Sequence, residues 1–81
     1  PSMDWKLRII RDPRIAAGAP VFRGTRVPLK TILASLAEGA STAEILADFP
    51  TLTELDVRAA IAFAAESAQE DLPFVSIPSE R

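Results

Sequence analysis

The sequence predicts an α+β fold, mostly α, in which a small β region precedes three helices. Three observations predict it. β-type residues flank a Gly-Thr turn near residue 24, apolar residues recur at helical spacing from Leu29, and two further helix starts follow. The length of 81 residues indicates one domain. Its predicted parts are a basic β region (3–28), a three-helix core (29–69) and an extended C-terminal tail (70–81), and residues 1–2 are interpreted as remnants of cloning.

The β region begins with an alternating run. Apolar and basic residues alternate from Trp5 to Ile9, which predicts a half-buried strand with a basic outer face. Asp12-Pro13 ends this strand. It either joins a three-stranded sheet or pairs with a second copy of the chain, because a hairpin alone is marginal in water.

A turn follows at Gly24-Thr25. Glycine at the first central position predicts a type II′ hairpin, in which Arg23 and Arg26 become cross-strand neighbours. Because like charges directly opposed destabilise a hairpin, we expect an anion near them. That anion could be a carboxylate of the chain's own helices, a carboxylate of a partner, or a phosphate.

Local signals mark each helix. Pro28 suits the first helical position, and Gly39 suits the residue just beyond a helix end. Ser41-Thr42-Ala43-Glu44 and Thr53-Glu54-Leu55-Asp56 each predict a capping box. Because Pro50 separates these two starts, the sequence predicts a helix-turn-helix.

The third helix has an apolar stripe and one outlying aromatic residue. Phe63 is either an edge-of-core residue or a sign that a partner packs against a second side of the helix. The stripe that we expect to face inward comprises Val57, Ala60, Ile61, Ala64, Ala65 and Ala68.

The tail from Leu72 to Pro78 is apolar, β-prone and bounded by prolines. Because it is too apolar to be a solvated end, it either folds back as an edge strand or orders on a partner by strand addition.

Charge is divided unevenly along the chain. Residues 1–30 carry seven cations and two anions, whereas residues 31–81 carry two cations and nine anions. The basic end either neutralises the acidic helices or forms a face for nucleic acid or an acidic partner. The start of the third helix is acidic or apolar apart from Arg58, so it is a poor reader of DNA. The expected DNA contacts are therefore Lys6, Arg8, Arg11, Arg14, Arg23, Thr25, Arg26 and Lys30.

The residue inventory leaves little for catalysis. The chain has no histidine, cysteine or tyrosine, so neither thiolate nor histidine-assisted serine chemistry is available. We expect a protein that is not an enzyme and that holds no metal and no cofactor. No apolar run approaches a membrane span, and the lack of cysteine fits a reducing cytosol, so we expect a cytoplasmic protein.

A set of short motifs runs from about Ile9 to Ala65. They are Asp12-Pro13, Gly18-x-Pro20, Arg23-Gly24-Thr25-Arg26-Val27-Pro28, Gly39-x-Ser41, Glu44-Ile45-Leu46 and Phe49-Pro50-x-Leu52-Thr53. In combination they resemble a small bacterial family called domain of unknown function 433. The resemblance implies an antitoxin of the VapB type with a homeodomain-like helical core. Such a protein would silence a PIN-like ribonuclease toxin and bind its own promoter as a homodimer.

Two surfaces would divide that work. The basic region would hold operator DNA, and the acidic helices with the tail would cover the toxin. The alternatives are a protein–protein adaptor without DNA binding and a stand-alone helix-turn-helix transcription factor. The expected toxin contacts are Phe63, Leu72, Phe74, Val75, Ile77 and Arg81.

Overall fold

The computed structural model describes residues 4–69, which form a two-stranded antiparallel sheet followed by three helices. The predicted α+β fold class is confirmed. No helix in this range is long and apolar enough to cross a membrane. The elements are β1 (Ile9–Arg11), β2 (Pro20–Phe22), α1 (Leu29–Ala37), α2 (Thr42–Asp48) and α3 (Glu54–Ser67).

The sheet is smaller than the three-stranded alternative. β1 and β2 pair in antiparallel register, with Ile9 opposite Phe22 and Ile10 opposite Val21. A third segment contributes only one bridge, between Val21 and Pro28. Pro28 is extended, with ψ 143°, so it caps α1 instead of opening it as predicted.

The first strand begins later than the alternating pattern predicts. Trp5–Leu7 forms a short 3₁₀ helix that Asp4 caps. The Trp5 ring packs edge-on against Phe63, with centroids 4.9 Å apart, and its Nε1 donates to Glu66 Oε1 at 2.6 Å. The predicted strand from Trp5 is therefore wrong, because contacts with α3 decide the conformation of this segment.

The loop after β2 is also longer than the predicted two-residue turn. The Thr25 N–H donates to the Phe22 carbonyl at 2.9 Å, and the Phe22 N–H donates to the Val27 carbonyl at 3.1 Å. Four residues, Arg23–Arg26, therefore link the two paired positions. Gly24 has φ +80°, which the third position of a type II turn requires and which glycine adopts without strain. The type II′ prediction is wrong.

The helix boundaries follow the local signals. Both predicted capping boxes are confirmed: Ser41 and Glu44 exchange bonds at the start of α2, and Thr53 and Asp56 do so at the start of α3. Gly39 follows α1 with φ +94°, as predicted for a residue beyond a helix end.

The inward face of α3 differs from the predicted stripe. Ile61 is 50% exposed, and Ala64, Ala65 and Ala68 are exposed as well. Phe63 is instead half buried against Trp5 at the edge of the core, as the first of its two interpretations predicts, and contact of this side with a partner stays a prediction. The buried residues of the helix are Asp56, Val57, Ala59 and Ala60.

Candidate nucleic-acid interface

The register places Arg23 beside Arg8 and not beside Arg26. The Arg23 N–H donates to the Arg8 carbonyl at 2.7 Å, which continues the β1–β2 ladder by one residue pair. These two arginines are therefore the like-charged neighbours that need an anion. The anion comes from the chain's own helices, since Arg8 Nη1 donates to Asp56 Oδ1 at 3.1 Å. Within the described residues, the Arg23 side chain makes one long bond, from Nη1 to the Leu7 carbonyl at 3.4 Å.

Asp56 joins the N-terminal segment to the start of α3. Its Oδ2 accepts hydrogen bonds from the Thr53 backbone N–H at 2.9 Å and from Thr53 Oγ1 at 3.2 Å, while Oδ1 receives Arg8. The Asp56 side chain is only 9% exposed. Because Arg8 is its charge partner inside the protein, the geometry favours a structural role for Arg8.

Arg14 and Arg26 lie near a second carboxylate, that of Asp12. Arg14 Nε and Nη2 each donate to an Asp12 carboxylate oxygen at 3.1 Å, and the Arg14 backbone N–H donates at 2.9 Å. The side-chain bonds from Arg14, then its backbone bond, and then the charge of Arg26 hold the pKa of Asp12 below its usual value. We call Asp12, Arg14 and Arg26 the Asp12 cluster. It carries two cations and one anion, and the Arg14 side chain is 88% exposed.

Thr25 shapes the loop that presents Arg26. Its Oγ1 donates to the Phe22 carbonyl at 2.8 Å and accepts from the Val27 N–H at 3.1 Å. The loop lines a shallow groove together with Asp12. Thr25 is predicted to contact DNA. In the structure both bonds of its hydroxyl go to backbone groups at the two ends of the loop, so they hold the loop in its conformation.

The other basic residues lie elsewhere. Arg11 and Lys30 line two adjoining shallow depressions that share Pro20 and Phe63. The Lys6 Nζ lies 5.7 Å from the centroid of the Trp5 ring. The described chain therefore does not gather the predicted DNA contacts into one patch. It divides them among the Asp12 cluster with Thr25, the Arg8–Arg23 pair, and the surroundings of Trp5, Pro20 and Phe63.

The expected toxin contacts are described only in part. Phe63 lies in a shallow apolar depression, half buried. Leu72, Phe74, Val75, Ile77 and Arg81 lie outside the described residues. Among residues 4–69, no three carboxylate, histidine or cysteine side chains lie close enough to hold a metal ion.

Sequence reasoning missed two contributors to this surface. Asp12 is predicted only to end a strand, although aspartate before a proline is a signal for a turn in which the carboxylate accepts from the backbone N–H two residues on. Leu55 was treated only as part of a capping sequence, and it is 45% exposed. A large apolar residue between two acids at a helix start is the signal that could have identified it.

Comparison with known proteins identifies a family that matches most of this chain. The family described as "Protein of unknown function (DUF433)" matches residues 9–64. "Uncharacterized protein y4eO" of Sinorhizobium fredii (strain NBRC 101917 / NGR234) is 39% identical over 56 residues, which are 69% of this chain and 25% of that protein. The crystal structure of a DUF433 member protein from Anabaena variabilis ATCC 29413 matches with a TM-score of 0.68 and 32% identity, over 76% of this chain and 61% of that one. This chain thus spans about a quarter of the first relative and three fifths of the second.

Proposed function

We propose, on the premise that this chain belongs to the DUF433 family, that it is the antitoxin of a type II toxin–antitoxin pair. In this role it binds and inhibits a PIN-like ribonuclease toxin in the cytoplasm, and as a homodimer it represses its own operon by binding operator DNA. Support comes from the resemblance of its motifs to antitoxins of the VapB type. The order of elements, a small sheet before three helices, is compatible with a homeodomain-like core. The role requires no catalytic residue and no cofactor.

One observation carries the DNA-binding half, namely the exposed cations of the N-terminal region. Residues 4–30 contain seven cations, of which Arg8 and Arg14 form ion pairs within the described chain, and the paired Arg14 side chain is still 88% exposed. Within the Asp12 cluster, Arg14 is bound to Asp12, and Arg26 is exposed in the loop that Thr25 clamps. Guanidinium groups donate to phosphate oxygens, and such contacts position a protein on DNA. We assign the phosphate contacts to this cluster first.

The start of α3 contributes little to that contact in our proposal. A helix-turn-helix protein reads bases with the first residues of its second helix. Here Glu54 is exposed, Asp56 is bound to Arg8, and Leu55 offers only an apolar side chain. Because an acidic helix start is repelled by phosphate, the basic N-terminal region is the better DNA-binding surface.

We assign toxin binding to the acidic surface of the helices, whose charge is opposite to that of the N-terminal region. A nuclease that binds RNA needs a basic surface, and acidic residues complement it. Glu38, Glu44 and Asp48 are exposed and line one shallow groove around the α1–α2 connection. We propose that this acidic groove and the apolar segment 72–77, which lies outside the described residues, contact the toxin.

A second candidate function is a protein–protein adaptor without DNA binding. The ion pairs Arg8–Asp56 and Arg14–Asp12 favour it, because they neutralise two of the basic residues within the chain. An adaptor of this kind has no affinity for DNA even at modest salt, whereas phosphate contacts give an affinity that falls steeply with salt.

The salt dependence of DNA binding tests the assignment of the Asp12 cluster. We expect Arg26→Ala and Arg14→Ala each to weaken binding to the DNA upstream of the gene. Each should also reduce the slope of log K against log salt by about 0.9, because one phosphate contact is lost. Fluorescence anisotropy across a salt series measures both quantities.

Arg58→Ala is the matched control, because Arg58 is an exposed arginine on α3 outside the cluster. It should leave the slope unchanged. If Arg58→Ala weakened DNA binding more than Arg26→Ala did, the result would indicate that α3 contacts the DNA, and it would refute our assignment. Absence of any DNA binding at low salt would favour the adaptor.

A further inference from the structure

A groove between the Trp5–Leu7 helix and the start of α3 holds two exposed leucines. Leu7 is 63% exposed and Leu55 is 45% exposed, and both line this groove. Ile61, the other large apolar residue exposed within residues 4–69, lies farther along α3 and outside the groove. Adjacent exposed apolar side chains favour contact with another protein surface more than scattered ones do.

Four charged residues frame the leucines. Arg8 and Asp56 neutralise each other through their 3.1 Å ion pair. Asp4 and Arg23 are in no ion pair with any residue of the described chain. Within residues 4–69, the Asp4 carboxylate accepts one backbone N–H, that of Lys6, and the Arg23 guanidinium donates one long bond, to the Leu7 carbonyl. The groove therefore offers one carboxylate and one guanidinium to an occupant.

We propose that this groove is the homodimer interface and that the same groove of a second copy occupies it. Around a two-fold axis, a contact from one residue to another is repeated in reverse. Asp4 of one protomer then pairs with Arg23 of its partner, and Arg23 pairs with Asp4, while Leu7 and Leu55 of both protomers pack together. An acidic partner would satisfy only Arg23 and a basic partner only Asp4, whereas a second copy satisfies both.

This inference rests on the proposed function, which includes a homodimer, and it identifies the surface that forms it. The interface covers Leu55 and the start of α3, so it removes that helix start from contact with DNA. Asp12 and Arg26 line a different groove, and no residue of the Asp12 cluster lines the groove of the proposed interface.

The molar mass of the purified protein in solution, without DNA or another protein, tests the interface. One chain has a mass of 8.7 kDa, and we expect twice that value by sedimentation equilibrium. Arg23→Asp and Asp4→Arg should each weaken the dimer by about tenfold or more, because each change opposes two like charges twice in a symmetric interface. The double variant Asp4→Arg/Arg23→Asp restores both pairs with reversed polarity and should recover most of the affinity.

Ile61→Glu is the control, because it adds a charge at an exposed apolar position outside the groove and should leave the mass unchanged. Thermal melts followed by circular dichroism verify that every variant is folded. A monomeric wild-type protein would overturn the proposal, as would single variants that remain dimeric or a double variant no better than either single one. A wild-type protein that is dimeric but does not bind DNA would instead count against the proposed function alone.

Discussion

Phe22→Ala is expected to lower the free energy of unfolding by about 3–5 kcal/mol. Phe22 is fully buried and belongs to the core cluster that includes Ile32 and Val57. Truncation removes apolar burial and leaves a cavity in the contact between β2 and α1. Domains of this length have a total stability of about 4–12 kcal/mol, so the variant should be close to unfolding at room temperature. Urea denaturation followed by circular dichroism measures the change.

Ile61→Ala is the matched comparison for this prediction. Because Ile61 is 50% exposed, its truncation should change stability by no more than about 0.5 kcal/mol. A loss of about 2 kcal/mol or more at Ile61 would support the inward stripe predicted from the sequence and would contradict the described packing of α3.

Asp56→Ala should destabilise the protein by about 2–4 kcal/mol. The change removes half of the capping box of α3 and leaves the Arg8 guanidinium without its carboxylate. For a domain of this size, each kcal/mol lowers the melting temperature by about 4–8 °C. The melting temperature should therefore fall by at least about 8 °C. A double-mutant cycle with Arg8→Ala isolates the ion pair from the cap.

Asp12→Ala provides the control for burial. The Asp12–Arg14 pair has the same 3.1 Å separation, but the Arg14 side chain is 88% exposed. An ion pair this exposed adds little to stability, so the melting temperature of this variant should stay close to that of the wild type. Equal losses of stability in Asp12→Ala and Asp56→Ala would contradict this account. They would show that the contacts of Asp56 with Arg8 and Thr53 stabilise the protein no more than the exposed Asp12–Arg14 pair does.

Helix boundaries could be predicted from the sequence because their causes are local. The capping boxes at Ser41 and Thr53 each involve residues three positions apart, and Gly39 marks the end of α1 by its own backbone freedom. The three helices follow from these signals, whereas the small sheet was predicted from the β-type residues that flank Gly24-Thr25.

Contacts between distant residues could not be predicted in this way. Trp5 has a strand pattern around it, yet it lies in a 3₁₀ helix, and its side chain bonds to Glu66, 61 positions away. On α3 the many alanines give almost no hydrophobic contrast, so a window of sequence could not distinguish buried Ala59 from exposed Ala65.

The candidate site was predicted by residue type but not by arrangement. The charge split indicated the basic region, but the anion was expected beside Arg23 and Arg26 because of the incorrect turn. The register instead places Arg8 opposite Arg23, and the carboxylate of Asp56 binds Arg8. The groove with Leu7 and Leu55 arises from packing between the chain's first described residues and α3, which no local pattern encodes.

Co-expression with the product of the adjacent open reading frame tests the proposed antitoxin function most directly. We expect the neighbour alone to arrest growth, and we expect this protein to restore growth and to co-purify with the neighbour as a stable complex. An Asp56→Ala variant, which should fold less stably, is expected to rescue less well as temperature rises. A neighbour that is harmless and does not co-purify would contradict the antitoxin function.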